Sequence, residues 1–369
     1  MSELYIGLMS GTSLDGVDGV IADFAGERPV VLHHATAAFA PSLRAELLAL
    51  NTPGDNELHR AALGANAVMR SYAACVTQLL DCARVSPSAV RAIGAHGQTV
   101  RHRPQEFDET GYTLQLANAA LLAELTRVDV VADFRSRDVA AGGQGAPLAP
   151  FFHRAWFARN GQTVGVLNIG GISNLTVIDA GGSLLGFDCG PGNALMDHMA
   201  SLHLGAPFDD GGQWAGSGHV IEPLLQSMQA DAYFARVPPK STGRDLFNVA
   251  WLEAQLRRIA PAAPVDVQAT LAELTAASCA NDVRRHAPGL PELVVCGGGA
   301  LNAHLMRRLA ALLPLTRIVT SDERGMPPLQ VEATAFAWLA RQCVLREALP
   351  LESTTGARGA RVLGCVYPR

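Results

Sequence analysis

The sequence predicts an α/β protein built from two similar halves, and three observations support this fold class. Short apolar segments alternate with longer stretches of helical periodicity along the 369 residues. Each half opens with an apolar segment, a glycine-containing turn and a second apolar segment. Polar residues cluster where predicted strands end. The hydrophobic fraction is 49% and the charged fraction 17%, which permits a large core, and the length suits two domains.

The first half begins with strands and then becomes helical. Strands are expected over residues 4–9, 17–24, 30–38, 92–96, 112–116 and 128–132. Helical periodicity covers residues 41–50, 55–85 and 118–125. The stretch 135–150 is rich in glycine and alanine and has no periodicity, so we expect a loop that crosses between domains.

The second half repeats this opening in pattern rather than in residue identity. Strands are expected over 164–169, 172–178, 184–187 and 293–296, and helices over 194–204, 221–228, 266–286, the stretch ending at 312, and 332–347. Glycines mark the turn between the first two of these strands. The repeated hairpin predicts two domains of similar topology.

Composition limits the possible partners. The net charge is −5 and basic residues form no run, which argues against nucleic acid as a partner. No apolar stretch reaches the roughly 20 residues that a membrane span needs, and no signal peptide is evident. The seven cysteines have no metal-binding spacing, which is typical of reduced thiols in the cytoplasm. We therefore expect a soluble cytoplasmic protein with small-molecule ligands.

Two glycine-containing hairpin turns are candidate phosphate sites. The first contains Gly11, Thr12, Ser13, Leu14, Asp15, Gly16, Val17 and Asp18, and the second contains Asn168, Gly170 and Gly171. Glycine lets the backbone approach a ligand, and N–H and hydroxyl groups donate to phosphate oxygens. The alternative for each is an ordinary polar turn. Their recurrence in both halves favours a polyphosphate ligand, and the lack of a Walker A pattern excludes a P-loop fold.

A third glycine cluster joins a strand to a helix, at Gly297, Gly298 and Gly299. A helix N-terminus with bare backbone favours the ribose or phosphate of a nucleotide. Close packing of the strand against the helix is the alternative.

Asp188 lies at a strand end, before a Gly-Pro-Gly turn and a predicted helix. A carboxylate there can accept a proton from water or a hydroxyl group. It could instead cap the helix, a role for which Asn193 is better placed.

Other polar residues also follow short strands, where open α/β sheets bind ligands. These candidates for substrate binding are His96, Gln98, Arg135 and Arg137. Glu332 opens the last helix, where it either complements the helix dipole or binds sugar hydroxyls. Lys240 is the only lysine, which reflects either coding bias or a site that needs a compact ammonium group.

Eight segments in order along nearly the whole chain resemble the anhydro-N-acetylmuramic acid kinase family. They are GLMSGTSLDGVD (7–18), GAHGQTVRH (94–102), VADFRSRDVAAGGQGAPL (131–148), NIGGISNLT (168–176), GFDCGPGNALMD (186–197), PKSTGRDLFN (239–248), VCGGGALN (295–302) and EATAFAWLA (332–340). The family belongs to the actin, hexokinase and Hsp70 superfamily. The resemblance implies two domains of duplicated, ribonuclease H-like topology with an ATP cleft between them, comprising residues 1–133 with about 332–369, and 134–331.

The resemblance also implies a reaction. The substrate, 1,6-anhydro-N-acetylmuramic acid, has no free hydroxyl at carbon 6, so phosphorylation must accompany hydrolytic opening of the bridge. Asp188 resembles the general base that activates water, and ATP with Mg²⁺ supplies the phosphoryl group. Ser10 stands where the superfamily usually has an acid, which leaves Asp15 and Asp18 as candidate Mg²⁺ ligands.

The remaining roles follow from residue type and motif position. Either Arg135 or Arg137 would bind the lactyl carboxylate, and Glu332 would orient the sugar. The resemblance further implies a homodimer and a place in peptidoglycan recycling. One rival is a conventional sugar kinase that acts on a free hydroxyl. A second is a nucleotide-gated binding module, for which no segment remains to form a peptide-binding domain.

Overall fold

The computed structural model describes residues 2–11, 13–26 and 28–369, and it confirms the α/β class. Its described elements fall into two compact units. Unit 1 comprises the residues up to Phe152 together with Leu329–Arg369, and unit 2 comprises His153–Pro328. The division predicted from the sequence changed domain at residues 133/134 and 331/332.

The strands alternate with helices along the chain. The strands are β1 (Leu4–Met9), β2 (Gly16–Asp23), β3 (Val30–Ala38), β4 (Val90–Ala95), β5 (Gln98–Pro104), β6 (Gly111–Leu116), β7 (Val130–Ala132), β8 (Val164–Ile169), β9 (Ile172–Ile178), β10 (Leu184–Pro191), β11 (Glu292–Cys296), β12 (Arg317–Thr320) and β13 (Cys365–Tyr367).

The α-helices vary from one turn to more than seven. They are α1 (Pro41–Ala49), α2 (Glu57–Ala83), α3 (Ala119–Thr126), α4 (Ser136–Ala140), α5 (Ala149–Phe157), α6 (Ala194–Leu204), α7 (Gln213–Ser217), α8 (Glu222–Gln229), α9 (Ala232–Ala235), α10 (Val249–Leu256), α11 (Pro264–His286), α12 (Ala303–Leu312) and α13 (Val331–Val344). Among the described helices, none is both long and apolar enough to cross a bilayer.

The main sheets of the two units share the same order over five strands, and the unit 1 sheet has β13 as a sixth strand at its edge. Written from the third strand of each unit, the order is β3-β2-β1-β4-β7-β13 in unit 1 and β10-β9-β8-β11-β12 in unit 2. The first three strands of each unit pair antiparallel, as β1-β2-β3 and β8-β9-β10. The next two pair parallel to the first, as β4 and β7 or β11 and β12. This identity of order and direction confirms the duplicated ribonuclease H-like topology that the resemblance implies.

Each sheet is covered by a long helix. In unit 1, α2 places Val68, Tyr72 and Val76 in the core against the sheet. In unit 2, α11 is buried along most of its length, and Cys279 and Val283 pack with β8 and β11 residues. Such burial of apolar surface on both sides of a sheet is the main source of stability for this architecture.

Helix α13 approaches the unit 1 sheet at two glycines. A Cβ atom at Gly7 would lie 1.8 Å from the Ala333 carbonyl oxygen, and one at Gly94 would lie 2.1 Å from that of Phe336. Any larger residue would push the helix away. This contact fixes the first turn of α13, which carries Glu332.

The prediction of a loop over 135–150 was wrong, because this stretch contains α4 and the start of α5. The stretch up to Phe152 belongs to unit 1. Asp138 is fully buried there, and its carboxylate accepts hydrogen bonds from the Gly145 N–H at 2.6 Å and from the Thr355 hydroxyl. Helix α4 has only five residues, which is too short for helical periodicity to be recognised in the sequence.

Candidate active site

The first hairpin turn begins with a buried hydroxyl cluster. Ser10 is 1% exposed, and its Oγ lies 2.7 Å from the Tyr72 hydroxyl. Both hydroxyls lie within hydrogen-bonding distance of the Gly97 carbonyl oxygen, at 3.0 and 3.2 Å. Burial raises the pKa of Tyr72, so the phenol remains a donor. Where the superfamily usually has an acid, this chain therefore has a neutral group tied to α2.

Some of the remaining residues of this turn are buried in the core, and others lie at the surface. The Leu14 and Val17 side chains are buried in the unit 1 core, so only their main chain is available to a ligand. Leu14 has a φ of 61°, an unusual conformation for a leucine. Gly16 serves strand packing, because a Cβ there would lie 2.3 Å from the Ala37 carbonyl oxygen. Gly11 is open, and Thr12 lies outside the described residues.

The two candidate Mg²⁺ ligands of this turn both have basic neighbours. Asp15 Oδ1 lies 3.2 Å from Arg44 Nη2, and Asp18 Oδ1 lies 3.5 Å from His34 Nε2. Their side chains are 58% and 47% exposed, respectively. Both carboxylates thus keep surface that a hydrated cation can reach, since Mg²⁺ is usually bound by one or two carboxylates and keeps several waters.

His96 and Arg135 form one network in unit 1. Arg135 donates to His96 Nε2 through Nε at 3.2 Å and Nη2 at 2.9 Å, and its Nη1 donates to the Gly145 carbonyl at 2.7 Å. Burial, and then the charge of Arg135, hold the pKa of His96 well below its usual range. The imidazole is therefore neutral, and its partners assign the proton to Nδ1.

Gln98, two residues after His96, contacts the first hairpin turn. Its side chain is fully buried, and Nε2 donates to the Gly11 carbonyl oxygen at 3.1 Å. Within the described residues, Gln98 Oε1 has no hydrogen-bond partner. A buried acceptor without a donor is costly, so this oxygen is suited to a ligand hydroxyl or amide.

The other two predicted substrate residues of unit 1 lie nearer the surface. Arg137 is exposed on α4, and Glu332 is half-buried in the first turn of α13. The structure thus places His96 and Arg135 in direct contact and joins Gln98 to the first hairpin turn, while Arg137 is exposed.

The second hairpin turn lies in unit 2 and is held by main-chain hydrogen bonds. The Gly192 N–H donates to the Gly171 carbonyl at 2.9 Å, and the Asn193 N–H donates to the Gly170 carbonyl at 2.8 Å. A Cβ at Gly192 would lie 2.3 Å from the Gly170 carbonyl oxygen. The Gly-Pro-Gly turn after Asp188 is therefore packed directly on this hairpin.

The triple-glycine turn (Gly297–Gly299) packs against the same hairpin. Gly297 has a φ of 75°, and a Cβ there would lie 2.5 Å from Asn168 Oδ1. A Cβ at Gly299 would lie 2.4 Å from Ile169 Cγ2. Close packing therefore explains two of the three glycines, whereas Gly298 is exposed and leaves its backbone open to a ligand.

Asp188 lies at a register shift in β10. It pairs with Asn174, but Gly190 pairs with Ser173, which leaves Cys189 as the extra residue of a bulge. Asp188 is 5% exposed, and its Oδ2 accepts a hydrogen bond from the Thr242 N–H at 2.9 Å. Its carboxylate thus binds a loop more than fifty positions away, so the helix-cap alternative for Asp188 is wrong.

Residues around Asp188 complete the site, and sequence reasoning missed two of them. The Tyr233 hydroxyl donates to the Asp188 carbonyl oxygen at 2.7 Å, and the Asp188 N–H donates to the Lys240 carbonyl oxygen at 3.1 Å. Thr242 lies in the PKSTGRDLFN segment that carries the resemblance, which is the one signal that pointed to it. Tyr233 had no signal, since it lies in a short helix with no motif.

No group of three or more His, Cys, Asp and Glu side chains able to hold a metal occurs among the described residues.

Comparisons with known proteins agree with the motifs. The family model described as anhydro-N-acetylmuramic acid kinase matches residues 3–369. A protein of that name from Variovorax paradoxus is 65% identical over 99% of both chains. Another, from Albidiferax ferrireducens, is 60% identical over the full length of both. Among solved structures, a ROK family glucokinase from Streptomyces griseus in complex with glucose and AMPPNP has a TM-score of 0.43 at 15% identity, covering 92% of this chain and 99% of that one.

Proposed function

Because the chain belongs to the anhydro-N-acetylmuramic acid kinase family, we propose that this kinase opens the 1,6-anhydro ring of 1,6-anhydro-N-acetylmuramic acid with water and phosphorylates oxygen 6 from ATP. The products are N-acetylmuramic acid 6-phosphate and ADP. The observation that carries the mechanism is Asp188, a buried carboxylate at a strand bulge whose orientation is fixed by the Thr242 N–H.

The reaction needs only one carboxylate, because every bond that forms is matched by a bond that breaks. Asp188 takes a proton from water as the water oxygen bonds to carbon 1 of the sugar. The bond from carbon 1 to oxygen 6 breaks with oxocarbenium character, and oxygen 6 bonds to the γ-phosphorus as ADP leaves. Glycosidases need a second carboxyl group to protonate the leaving oxygen, and here the phosphoryl group takes that place.

In unit 1, we assign the sugar to the His96–Arg135 pair and to Gln98. Arg135 already donates to His96 and Gly145, which fixes its guanidinium plane for a carboxylate such as the lactyl group. The unpartnered Gln98 Oε1 is an acceptor for a sugar hydroxyl or the acetamido N–H. Glu332 orients a further hydroxyl from the first turn of α13.

For the nucleotide, each unit offers a glycine-containing turn whose backbone can approach phosphate. In unit 1 this is the open Gly11 and the residues that follow it up to Asp18. In unit 2 it is Asn168, Gly170 and Gly171, with Gly298 of the triple-glycine turn exposed for the nucleoside side. Backbone N–H groups here would stabilise charge on the transferring phosphoryl group.

Mg²⁺ would be held in unit 1 by Asp15 or Asp18 together with phosphate oxygens. When bound, the ion neutralises phosphate charge and aligns the γ-phosphoryl group. Each of the two carboxylates has a basic neighbour that must be displaced or shared, Arg44 for Asp15 and His34 for Asp18.

The test is turnover in labelled water. With ATP, Mg²⁺ and 1,6-anhydro-N-acetylmuramic acid, we expect ADP and a sugar phosphate with one labelled oxygen at carbon 1. Asp188→Asn keeps the shape of the side chain but removes the base, and we expect kcat to fall about 10²- to 10⁴-fold. Asp133→Asn is a matched control, because Asp133 is exposed after β7, and it should retain activity.

Two outcomes would overturn the proposal. Phosphorylation of a free-hydroxyl hexose without turnover of the anhydro sugar would indicate a conventional sugar kinase. Full activity of Asp188→Asn would remove Asp188 as the base while leaving the kinase assignment intact.

The cellular setting follows from the substrate. A muramic acid derivative with an internal anhydride places the reaction in peptidoglycan recycling, and we propose the cytoplasm as its location. We also propose a homodimer, which light scattering of the purified protein would test directly.

A further inference from the structure

Lys240, the only lysine of the chain, is completely buried in unit 2. Its Nζ lies 3.2 Å from Asp282 Oδ2 of α11, and the exposed fractions of the two side chains are 0% and 6%. The ammonium also lies 5.3 Å from the centre of the Phe187 ring and 5.1 Å from that of Tyr233. The ammonium therefore does not reach solvent.

A buried ion pair of this kind is poorly explained by stability alone. Removing two charges from water costs about as much as their attraction returns, and apolar replacements of buried pairs are often neutral or stabilising. Burial raises the pKa of Asp282, with the charge of Lys240 opposing that rise. A buried ion pair can instead hold the main chain on either side of it in one conformation.

The main chain that Lys240 carries is in direct contact with Asp188. The Lys240 carbonyl accepts from the Asp188 N–H at 3.1 Å, and two residues later the Thr242 N–H donates to Asp188 Oδ2 at 2.9 Å. Tyr233, whose ring lies beside the ammonium, donates its hydroxyl to the Asp188 carbonyl at 2.7 Å. Asp188 thus makes three hydrogen bonds in this region: one with the Lys240 main chain, one with the main chain two residues later, and one with Tyr233, which contacts the Lys240 ammonium.

The strand itself leaves Asp188 in need of this support. The β9–β10 pairing shifts register between Asp188 and Gly190, so the regular ladder is interrupted directly after the residue that must be oriented. A hydrogen bond to one carboxylate oxygen fixes the rotation of the group and favours its ionised form.

We propose that Lys240 is a positioning residue for Asp188: its buried contact with Asp282 locks the 240–242 segment so that the Thr242 N–H orients the carboxylate. This inference rests on the proposed role of Asp188 as general base. It predicts that the pair can be replaced without loss of folding but not without loss of catalysis.

The surroundings of the ammonium allow a clean substitution. The charged and titratable groups that face it are Asp282 and His286 of α11, Cys189 of β10, Cys279 of α11 and Tyr233 of α9. Burial raises the pKa of Cys189 and lowers that of His286, so both favour their neutral forms. The two charges to remove in a test are therefore those of Lys240 and Asp282.

The experiment compares Lys240→Met/Asp282→Leu with the wild-type protein in full-length form. We expect a melting temperature within a few degrees of wild type, with kcat lowered about 10- to 100-fold, because small misplacements of a reacting group have effects of this size. KM for ATP and for the anhydro sugar should change less than about threefold, because the Lys240 side chain is completely buried and its role is to position Asp188. The acidic limb of the kcat/KM profile should move to higher pH, because a carboxylate that loses a donated hydrogen bond is protonated more easily.

A folded double variant with wild-type kcat and an unchanged pH profile would overturn the inference. If the double variant does not fold, Lys240→Met/Asp282→Met carries the same test, since it also removes both charges and the flexible methionine side chain adapts to the space. Asp188→Asn, assayed in parallel, separates the two proposals. If Asp188→Asn is active, the base assignment fails. If it is inactive while the folded double variant matches wild type, only the role of Lys240 fails.

Discussion

Strands β4 and β11 hold the same place in the two sheets, yet the residues that follow them differ in kind. Each strand leads to a glycine with positive φ, 79° at Gly97 and 75° at Gly297. In unit 1 this glycine stands between His96 and Gln98, and in unit 2 it stands between Cys296 and Gly298. One backbone turn thus presents buried polar side chains in unit 1 and nearly bare backbone in unit 2.

Strands β3 and β10 differ in a similar way. Strand β3 ends at Ala38 and leads into α1, with alanines at its last two positions. Strand β10 breaks its register at Asp188 and leads into the Gly-Pro-Gly turn. Side chains recognise the hydroxyl pattern of a sugar, whereas backbone N–H groups suit phosphate oxygens. The duplicated frame is therefore divided by chemistry, with most sugar contacts assigned to unit 1 and the base assigned to unit 2.

The largest effects are expected when one methyl group is added to each of the two turns, at Gly97 and Gly297. In Gly297→Ala the new Cβ would lie 2.5 Å from Asn168 Oδ1, and in Gly97→Ala it would lie 2.9 Å from the Leu116 carbonyl oxygen. Both positions also have positive φ, which strains alanine by about 1–3 kcal/mol. We expect KM for ATP to rise about 10- to 100-fold in Gly297→Ala, and KM for the anhydro sugar to rise similarly in Gly97→Ala.

The matched control is Gly205→Ala at the end of α6. Gly205 has a φ of 66°, but a Cβ there would meet no atom within 4 Å. This variant should lose about 1 kcal/mol of stability and keep both KM values, because it shares the strain without the contact. The assignment of nucleotide to one turn and sugar to the other would be wrong if the two KM effects were exchanged.

A smaller effect is expected from the arginines of unit 1. Arg135→Lys keeps the charge but loses the planar fork that donates to His96 and Gly145 at once. We expect KM for the anhydro sugar to rise about tenfold, with KM for ATP unchanged. Arg137→Lys is the control at an exposed position on the next helix and should stay within about twofold. Initial rates at varied sugar concentration measure both, and equal effects would mean that Arg137 shares the carboxylate.

Sequence reasoning predicted the parts of the molecule that depend on local pattern. The long helices α2 and α11 and both hairpins follow from periodicity and turn glycines, and Asp188 stood out beside its turn. Strands β5 and β12 were not predicted, because short strands rich in polar residues lack clear alternation.

The partners of the site residues were beyond the reach of a single sequence. Thr242 is 54 residues from Asp188, Tyr233 is 45, and Thr355 is 217 from Asp138. These contacts depend on how loops without periodicity fold onto the sheets. The same is true of Lys240, whose rarity was visible but whose burial against Asp282 was not.

The effect expected on stability rather than on catalysis concerns two buried histidines, one in each unit, and it separates a site residue from a core residue. His96 accepts from Arg135, whereas His153 Nδ1 lies 2.8 Å from the Thr176 hydroxyl in the unit 2 core. Burial lowers the pKa of His153 to about 3. In the unfolded chain histidine titrates near pH ~6.5, so below that pH the unfolded state binds a proton that the folded state does not.

Stability from His153 is therefore fully present above pH ~6.5 and is lost as the pH falls toward its folded value. Between pH 7 and pH 5 the wild type should lose about 2 kcal/mol more in free energy of unfolding than His153→Asn, at about 1.4 kcal/mol per pH unit below the unfolded value. Denaturant titrations at the two pH values measure this difference, with His59→Asn as an exposed control. His153→Asn should keep both KM values, since this ring lies in the core; equal acid sensitivity of the variant and the wild type would show that the His153 ring is protonated in the folded state as well.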